Sequence, residues 1–334
     1  MSEQKKESQR DGALLMQEKI MDVARKQNLV LLPLPLSGAH REIGICILNA
    51  CMLAAAERGV GTVNFCVIDA ADPDLNVYKL HERFKRADLK AILGPVFFRE
   101  ATQFGALFPQ IPIFALSNNR SVNNSHVFAC GISPADEIRE LCAYANNHGL
   151  CDFLALVPKT AFGDQLAEQI IRETDRLGFN ERGEVEIVRY SSMSRDDALL
   201  CIKNSGKKVV FMIDSLVDPG DVEDVAVFTL GGVALARRDV WKGAFFAFFG
   251  GPDMVNFANK YRHFFGKAPG LLEIIAYDLS KFLQILVESG MSEDTLYAPH
   301  EGSSGLFLLQ KGGGLRRQLE VMQLKEDSES SLPQ

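Results

Sequence analysis

From Asn28 onward the chain alternates between short apolar runs and longer stretches whose apolar residues recur at helical spacing. Leu29–Leu32, Thr62–Ile68, Lys90–Leu93 and Ile111–Leu116 read as strands. Helical patterns follow the first of them and cover residues 75–87 and 100–108. A strand returns parallel to its predecessor only through a long crossover, usually a helix. The order β-α-β-α-β-α-β therefore predicts an α/β fold, with a parallel sheet covered on both faces and right-handed connections. Ligands of such sheets bind outside the carboxyl ends of the strands. The loops at those ends are Ser37-Gly38, Asp69, Gly94-Pro95-Val96-Phe97 and Ser117-Asn118-Asn119.

The first run is punctuated by Pro33 and Pro35. Proline cannot donate to a sheet ladder, so the strand is predicted to fray or end there. Ser37 is placed to cap the following helix, and Gly38 permits close approach of a ligand or another backbone. Ile43, Ile47, Ala50, Cys51 and Ala54 commit one helix face to a core. The free N–H groups of the helix start suit a carboxylate, although an ordinary strand-to-helix turn accounts for the same residues. Asp69, Asp72 and Asp74 invite a calcium reading. Their loop lacks the glycine and closing glutamate of an EF-hand, so a turn with a helix cap is expected.

After residue 120 the alternation starts again. A helix over Pro134–His148, a strand Asp152–Val157, a helix to Leu177 and a strand Glu184–Arg189 are followed by a helix over 196–204 and a strand Lys208–Ile213. The strand-end loops of this second unit are 158–163 and 214–215. Thr229–Leu235 and Lys242–Phe249 are predicted as further strands, with Phe245, Phe246, Phe248 and Phe249 buried in the sheet rather than displayed for base stacking. Helices over Asp253–Phe265 and Gly270–Ser289 precede a hairpin-like segment, Gly305–Gln310 and Arg317–Leu324, turning at Gly312–Gly314. Residues 13–27 are expected to form a short amphipathic helix, and residues 1–11 and 326–334 to be disordered.

A chain of 334 residues is expected to form about two lobes. A net charge of −7 without a basic cluster argues against nucleic acid. No run of about eighteen apolar residues predicts a membrane span, and no secretory h-region is visible. The seven cysteines, Cys46, Cys51, Cys66, Cys130, Cys142, Cys151 and Cys201, stand singly among apolar residues. They read as small buried hydrophobes rather than a disulfide framework or zinc site.

No GxSxG elbow, P-loop, HExxH or GxGxxG occurs, and neither cofactor nor metal is expected. Ser37 with His40 makes the most tempting catalytic pair. No orienting carboxylate is placed for it in the sequence, so an enzyme is not expected. Gly250-Gly251 and Gly312–Gly314 lack the context of a phosphate cradle and are expected as turns or hinge crossings.

Four stretches, in order, resemble the type I periplasmic binding proteins, the Leu/Ile/Val-binding or extracellular ligand-binding receptor group. They are Leu32-Pro33-Leu34-Pro35-Leu36-Ser37-Gly38, Ala91-Ile92-Leu93-Gly94-Pro95, Phe162-Gly163, and Tyr261–Ala276 with its Phe265-Gly266-Lys267-Ala268-Pro269. Ala276-Tyr277-Asp278 matches the start of the family's late helix. The resemblance spans roughly Asn28 to Leu324. Within the group, Ala115-Leu116-Ser117-Asn118 and Ala155-Leu156-Val157-Pro158 look closest to bacterial penicillin-binding-protein activators.

The resemblance implies two Rossmann-like lobes joined by three crossings, near 147–152, 250–252 and 312–314. One lobe would hold residues 28–148 with 252–312, the other 149–251 with 313–325. It implies a small-molecule ligand in the cleft between lobes, lined by Ser37, Gly38, Gly94, Phe97, Ser117 and Asn118 from the first and by Phe162 and Asp214 from the second. Ser117-Asn118-Asn119-Arg120 replaces the family's hydroxyl-rich loop, and Phe162 stands where tyrosine is common. Asp214 is placed either to pair with an ammonium or to lie as an exposed turn carboxylate. The implied role is periplasmic capture of an amino-acid-like solute, for a membrane transporter or for sensing. The alternative is an interaction protein that activates a cell-wall synthase. Repressors also use this fold, but no helix-turn-helix precedes Asn28.

Overall fold

The computed structural model describes residues 27–58, 63–85, 87–249 and 251–325. It divides into two compact units. The first comprises the described residues up to Gly131 together with Asn259–Arg316, and the second Ile132–Ala258 together with those from Arg317.

In the first unit β1 (Leu29–Leu34) leads through a 3-10 turn, Gly38–His40, into α1 (Arg41–Arg58). Then come β2 (Asn64–Asp69), α2 (Val77–Phe84), β3 (Leu89–Leu93), α3 (Phe98–Leu107), β4 (Ile113–Ala115) and β5 (Val127–Ala129). The second unit opens with α4 (Pro134–Asn147), β6 (Phe153–Pro158), α5 (Ala161–Arg176), β7 (Val185–Tyr190) and α6 (Arg195–Ser205). It continues with β8 (Val209–Met212), β9 (Ala226–Phe228), α7 (Gly231–Ala236) and β10 (Phe245–Phe249). Helix α8 (Met254–Phe265) carries the chain back to the first unit. There α9 (Leu271–Glu288) and α10 (Glu293–Leu296) precede a small sheet of β11 (His300–Gly302), β12 (Gly305–Leu309) and β13 (Leu315–Arg317). The last strand, β14 (Leu319–Gln323), belongs to the second unit.

The large sheets share one topology. The first is wholly parallel in the order β2-β1-β3-β4-β5. The second runs β7-β6-β8-β9-β10, the same order, with β14 added antiparallel along β10. This is the doubly wound arrangement in which strand order reverses beside the first strand. The alternation read from the sequence is thus one βα device used twice.

Each copy presses its first helix onto the exit of its first strand. A Cβ on Gly44 would lie 2.1 Å from the carbonyl oxygen of Pro35, and one on Gly163 would lie 2.0 Å from that of Pro158. Only glycine lets helix and strand end approach this closely. Helix α1 has the length and apolar content of a membrane span. Here Ile47, Ala50, Cys51 and Ala54 are buried, and the helix packs along α9. In the second unit Tyr144, Phe153, Phe228 and Phe245 form a ring cluster, while Phe246, Phe248 and Phe249 are fully buried. All seven cysteines are free thiols, six of them buried.

Several expectations are corrected. Pro33 lies inside β1, because pairing with β3 stops at Leu31↔Ile92 while pairing with β2 runs on to Leu34↔Asp69. Proline is accommodated where the strand keeps a ladder on one side only. Strand β5, not anticipated, is only Val127–Ala129, too short for a periodic signal. Thr229–Leu235 is not a strand: β9 ends at Phe228 and α7 begins at Gly231, whose N–H is accepted by the buried Glu137 carboxylate.

The closing hairpin is likewise divided, since β12 pairs with β11 and β13 while β14 pairs with β10. Helix α4 belongs to the second unit because it packs on α5 and β10. The chain therefore passes between units at 131/132 rather than at 147–152, and again at 258/259 and 316/317. Gly312–Gly314 turn within the first unit at φ of 93°, 98° and 87°. There a Cβ on Gly313 would lie 2.6 Å from the Asn124 backbone. The helix expected over residues 13–27, apart from Gln27, and the tails 1–11 and 326–334 lie outside the described residues.

Candidate functional site

In the first unit strand order reverses between β1 and β3, and chains leaving such strands part toward opposite faces and open a crevice. A cavity of about 370 Å3 lies there, lined by the loops that follow β1, β2 and β3. That volume is in the range of small-molecule sites. Pro33, Pro35 and Pro95 supply apolar lining, and Ser37, Gly38, His40, Phe97, Arg99 and Glu100 border it as well.

Local sequence sets these positions. The loop after β1 is held by Asp69 at the end of neighbouring β2, whose Oδ1 accepts the N–H groups of Leu36 at 2.8 Å and Ala71 at 3.0 Å. The aspartate considered for calcium is thus engaged with backbone. Gly94 has φ of 107°, and a Cβ on it would approach the Pro33 carbonyl oxygen to 3.0 Å. It shapes the cavity wall by letting the β1 and β3 exits lie side by side. The rings of His40 and Phe97 meet at 4.8 Å between centroids and 54° between planes.

Ser37 and Phe97 hold the N-cap positions of the 3-10 turn and of α3, and neither makes a side-chain capping bond. The N–H groups at these helix starts are therefore not answered by their own caps. Arg99 and Glu100 stand in the first turn of α3. One Glu100 carboxylate oxygen is buried without a hydrogen-bond partner, a costly state for an anionic acceptor.

Of the residues chosen from sequence, Ser37, Gly38 and Phe97 line one cavity, and Gly94 braces it. Ser117 and Asn118 do not line it. Ser117 is buried, and its Oγ accepts the Asn119 N–H at 3.1 Å. Gly131 presses on this loop so closely that a Cβ there would lie 2.8 Å from Asn118 N and Ser117 O. The Ser117 hydroxyl thus serves its own loop, and Asn118 is exposed.

Phe162 and Asp214 stand at the equivalent strand ends of the second unit. Phe162, in the first turn of α5 behind the Thr160 cap, is 43% exposed. Asp214 follows β8 and accepts the Tyr190 hydroxyl. Burial, and then Asp214 itself, push the Tyr190 pKa up, so this hydroxyl remains a donor. Arg99, Glu100 and Tyr190 were missed from sequence. The available signal was position alone: two residues just inside a helix that starts at a strand-end loop, and one closing a strand. A second cavity, of about 530 Å3, lies at the opposite, amino ends of β8 and β9 and is bordered by Lys203, Lys208, Asp221 and Glu223.

No protein-family model and no curated protein matches the chain. Solved structures do. A branched-chain amino acid ABC transporter periplasmic ligand-binding protein from Burkholderia xenovorans superposes with a TM-score of 0.75 at 17% identity, covering 91% of this chain and 92% of that one. A solute-binding protein of an ABC transporter from Rhodopseudomonas palustris, in complex with 3,4-dihydroxybenzoic acid, gives 0.63 at 17% identity over 89% and 93%. The C-domain of LpoA from Haemophilus influenzae, a regulator of PBP1A, gives 0.68 at 16% identity over 90% and 98%. Likeness at such identities concerns architecture. Together with the two equally ordered sheets and the three passages of the chain between them, it shows that this protein has the type I periplasmic-binding-protein fold.

Proposed function

We propose that the protein is a non-enzymatic solute-binding protein whose first unit receives a small, amino-acid-like carboxylate at the crevice between β1 and β3. The observation that carries this reading is the unpartnered buried oxygen of Glu100 in a cavity it shares with Arg99 and His40. The carboxylate asks for an N–H donor. Arg99 and the helix starts at Ser37 and Phe97 ask for an acceptor, and the prolines and Phe97 suit an apolar body. A branched-chain or aromatic amino acid meets all three demands. The likeness to branched-chain amino acid and dihydroxybenzoate-binding proteins supports a carboxylate ligand, periplasmic work and delivery to a membrane transporter.

The test is a thermal-shift screen on protein unfolded and refolded to strip any trapped ligand. A solute at about a hundred times its dissociation constant stabilises the native state by roughly 2.7 kcal/mol. A shift with such a solute that falls to about half or less in Glu100→Gln supports the reading; silence across amino acids and aromatic acids overturns it.

A second reading, regulation of a cell-wall synthase, is favoured by one observation. The Asp214 carboxylate, the residue best suited by type to hold an ammonium in the second unit, is already engaged by Tyr190. The likeness to LpoA points the same way. A synthase captured from membranes by both wild-type protein and Arg99→Ala would establish it.

A further inference from the structure

The sulfur of Cys46 and the Nζ of Lys267 lie 2.9 Å apart. Cys46 is on α1, the helix that follows the cavity loop, and Lys267 is in the connection between α8 and α9. Contact this short between an amine and a sulfur is that of a charge-assisted hydrogen bond. Cys46 is first among the causes that raise the Lys267 pKa. Cys46 keeps 8% of its surface accessible, and Lys267 is exposed.

Other cysteines are held as thiols. Burial pushes Cys51 and Cys142 up to about 12, and burial with Glu186 pushes Cys201 up. Oxidants favour a sulfur set beside a cation, and Lys267 supplies one at Cys46.

We propose that Cys46 and Lys267 form an oxidation site that closes into a covalent S–O–N bridge under hydrogen peroxide. The Cys46 sulfur attacks one peroxide, whose O–O bond breaks to leave a sulfenic acid and water. With the sulfur converted to sulfenic acid, the Lys267 ammonium gives a proton to water, and a second peroxide converts the free amine to a hydroxylamine with loss of water. The hydroxylamine oxygen then displaces hydroxide from sulfur, releasing a third water. Sulfur and nitrogen each give up two electrons, and the two peroxides accept the four. A single bridging oxygen holds sulfur and nitrogen near their present separation, so neither backbone has to move. The bridge pins α1, beside the cavity loop, to the connection that precedes α9. It does not depend on what the cavity binds.

The experiment is peptide mass mapping, without reductant, of the reduced full-length protein after exposure to hydrogen peroxide. The expected product joins the Cys46 and Lys267 peptides, with one oxygen gained and two hydrogens lost, and reverts with a thiol reductant. In Lys267→Arg, which keeps the cation, the link vanishes while a cyclic diketone still traps a sulfenic acid at Cys46. In Cys46→Ser both vanish. Absence of oxidation at Cys46, or progression to sulfinic acid at equal rates in wild type and Lys267→Arg, overturns the proposal.

Discussion

The Asp278 carboxylate holds Ser304 twice, through its backbone N–H at 2.8 Å and through its hydroxyl. The neighbouring Ser303 N–H donates to the same group at 2.7 Å. The turn between β11 and β12 is wrapped around this side chain, so closely that a Cβ on Gly302 would lie 2.5 Å from Asp278 Cγ. In the sequence Asp278 was only part of a family-like triplet. In the fold it is the buried acceptor on α9 that fastens the small sheet to its unit.

Asp278→Ala leaves the N–H groups of Ser303 and Ser304 buried without that acceptor. Each orphaned group costs about 1–3 kcal/mol, so a loss of roughly 3 kcal/mol or more is expected. Urea unfolding followed by a probe in the first unit checks this. An unchanged midpoint would show that the turn is satisfied in some other way.

Gly44→Ala and Gly163→Ala each place a methyl group against a strand-exit carbonyl, and each is expected to cost about 2 kcal/mol or more through forced separation of helix and strand. Gly38→Ala is the control. Its φ is 68° and nothing lies within 4 Å of the added Cβ, so only the left-handed backbone cost of roughly 1 kcal/mol applies. Equal losses at all three positions in thermal unfolding would contradict the close-approach argument.

Glu137 is buried and its pKa is raised to about 8, chiefly by burial, against the lowering effect of the Gly231 N–H. Its folded pKa exceeds the unfolded value near 4.5. Between those values the native state binds the extra proton, and stability falls as pH rises. The slope from this group approaches about 1.4 kcal/mol per pH unit in the middle of that window. Glu137→Gln should flatten the decline between about pH 5 and 8 when unfolding free energy is measured across the range. A wild-type profile already flat there would refute the assignment.

Arg99→Ala and Glu100→Gln should each weaken a bound solute by roughly tenfold or more, the loss of one charged hydrogen bond. Ser117→Ala, whose hydroxyl serves the Asn119 N–H, should leave affinity within about twofold. Isothermal titration with any solute found in the thermal screen decides this. If Ser117→Ala abolished binding, the site would belong to the other loop.

The α/β class, the doubling of the βα pattern and the strand-end positions of Ser37, Gly38 and Phe97 were legible in the chain alone. Each depends on short-range periodicity or on the chemistry of residues adjacent in sequence. Other features required the folded molecule. Strand β14 lies along β10, α4 joins the second unit, and Thr229–Leu235 lies beyond the end of β9 and runs into helix α7. These outcomes turn on partners far away in sequence. Glu137 receives an N–H from residue 231, for example, and β10 can take a further strand only on its open edge.

The site divides in the same way. Residue type and spacing pointed to the strand-end loops, but they could not say that Ser117 would hydrogen-bond to its own loop, that Asp214 would be taken by Tyr190, or that Arg99 and Glu100 would border the cavity. Periodicity encodes which face of an element is buried. Which side chains then converge depends on how the elements are brought together, and only the packed structure decides that.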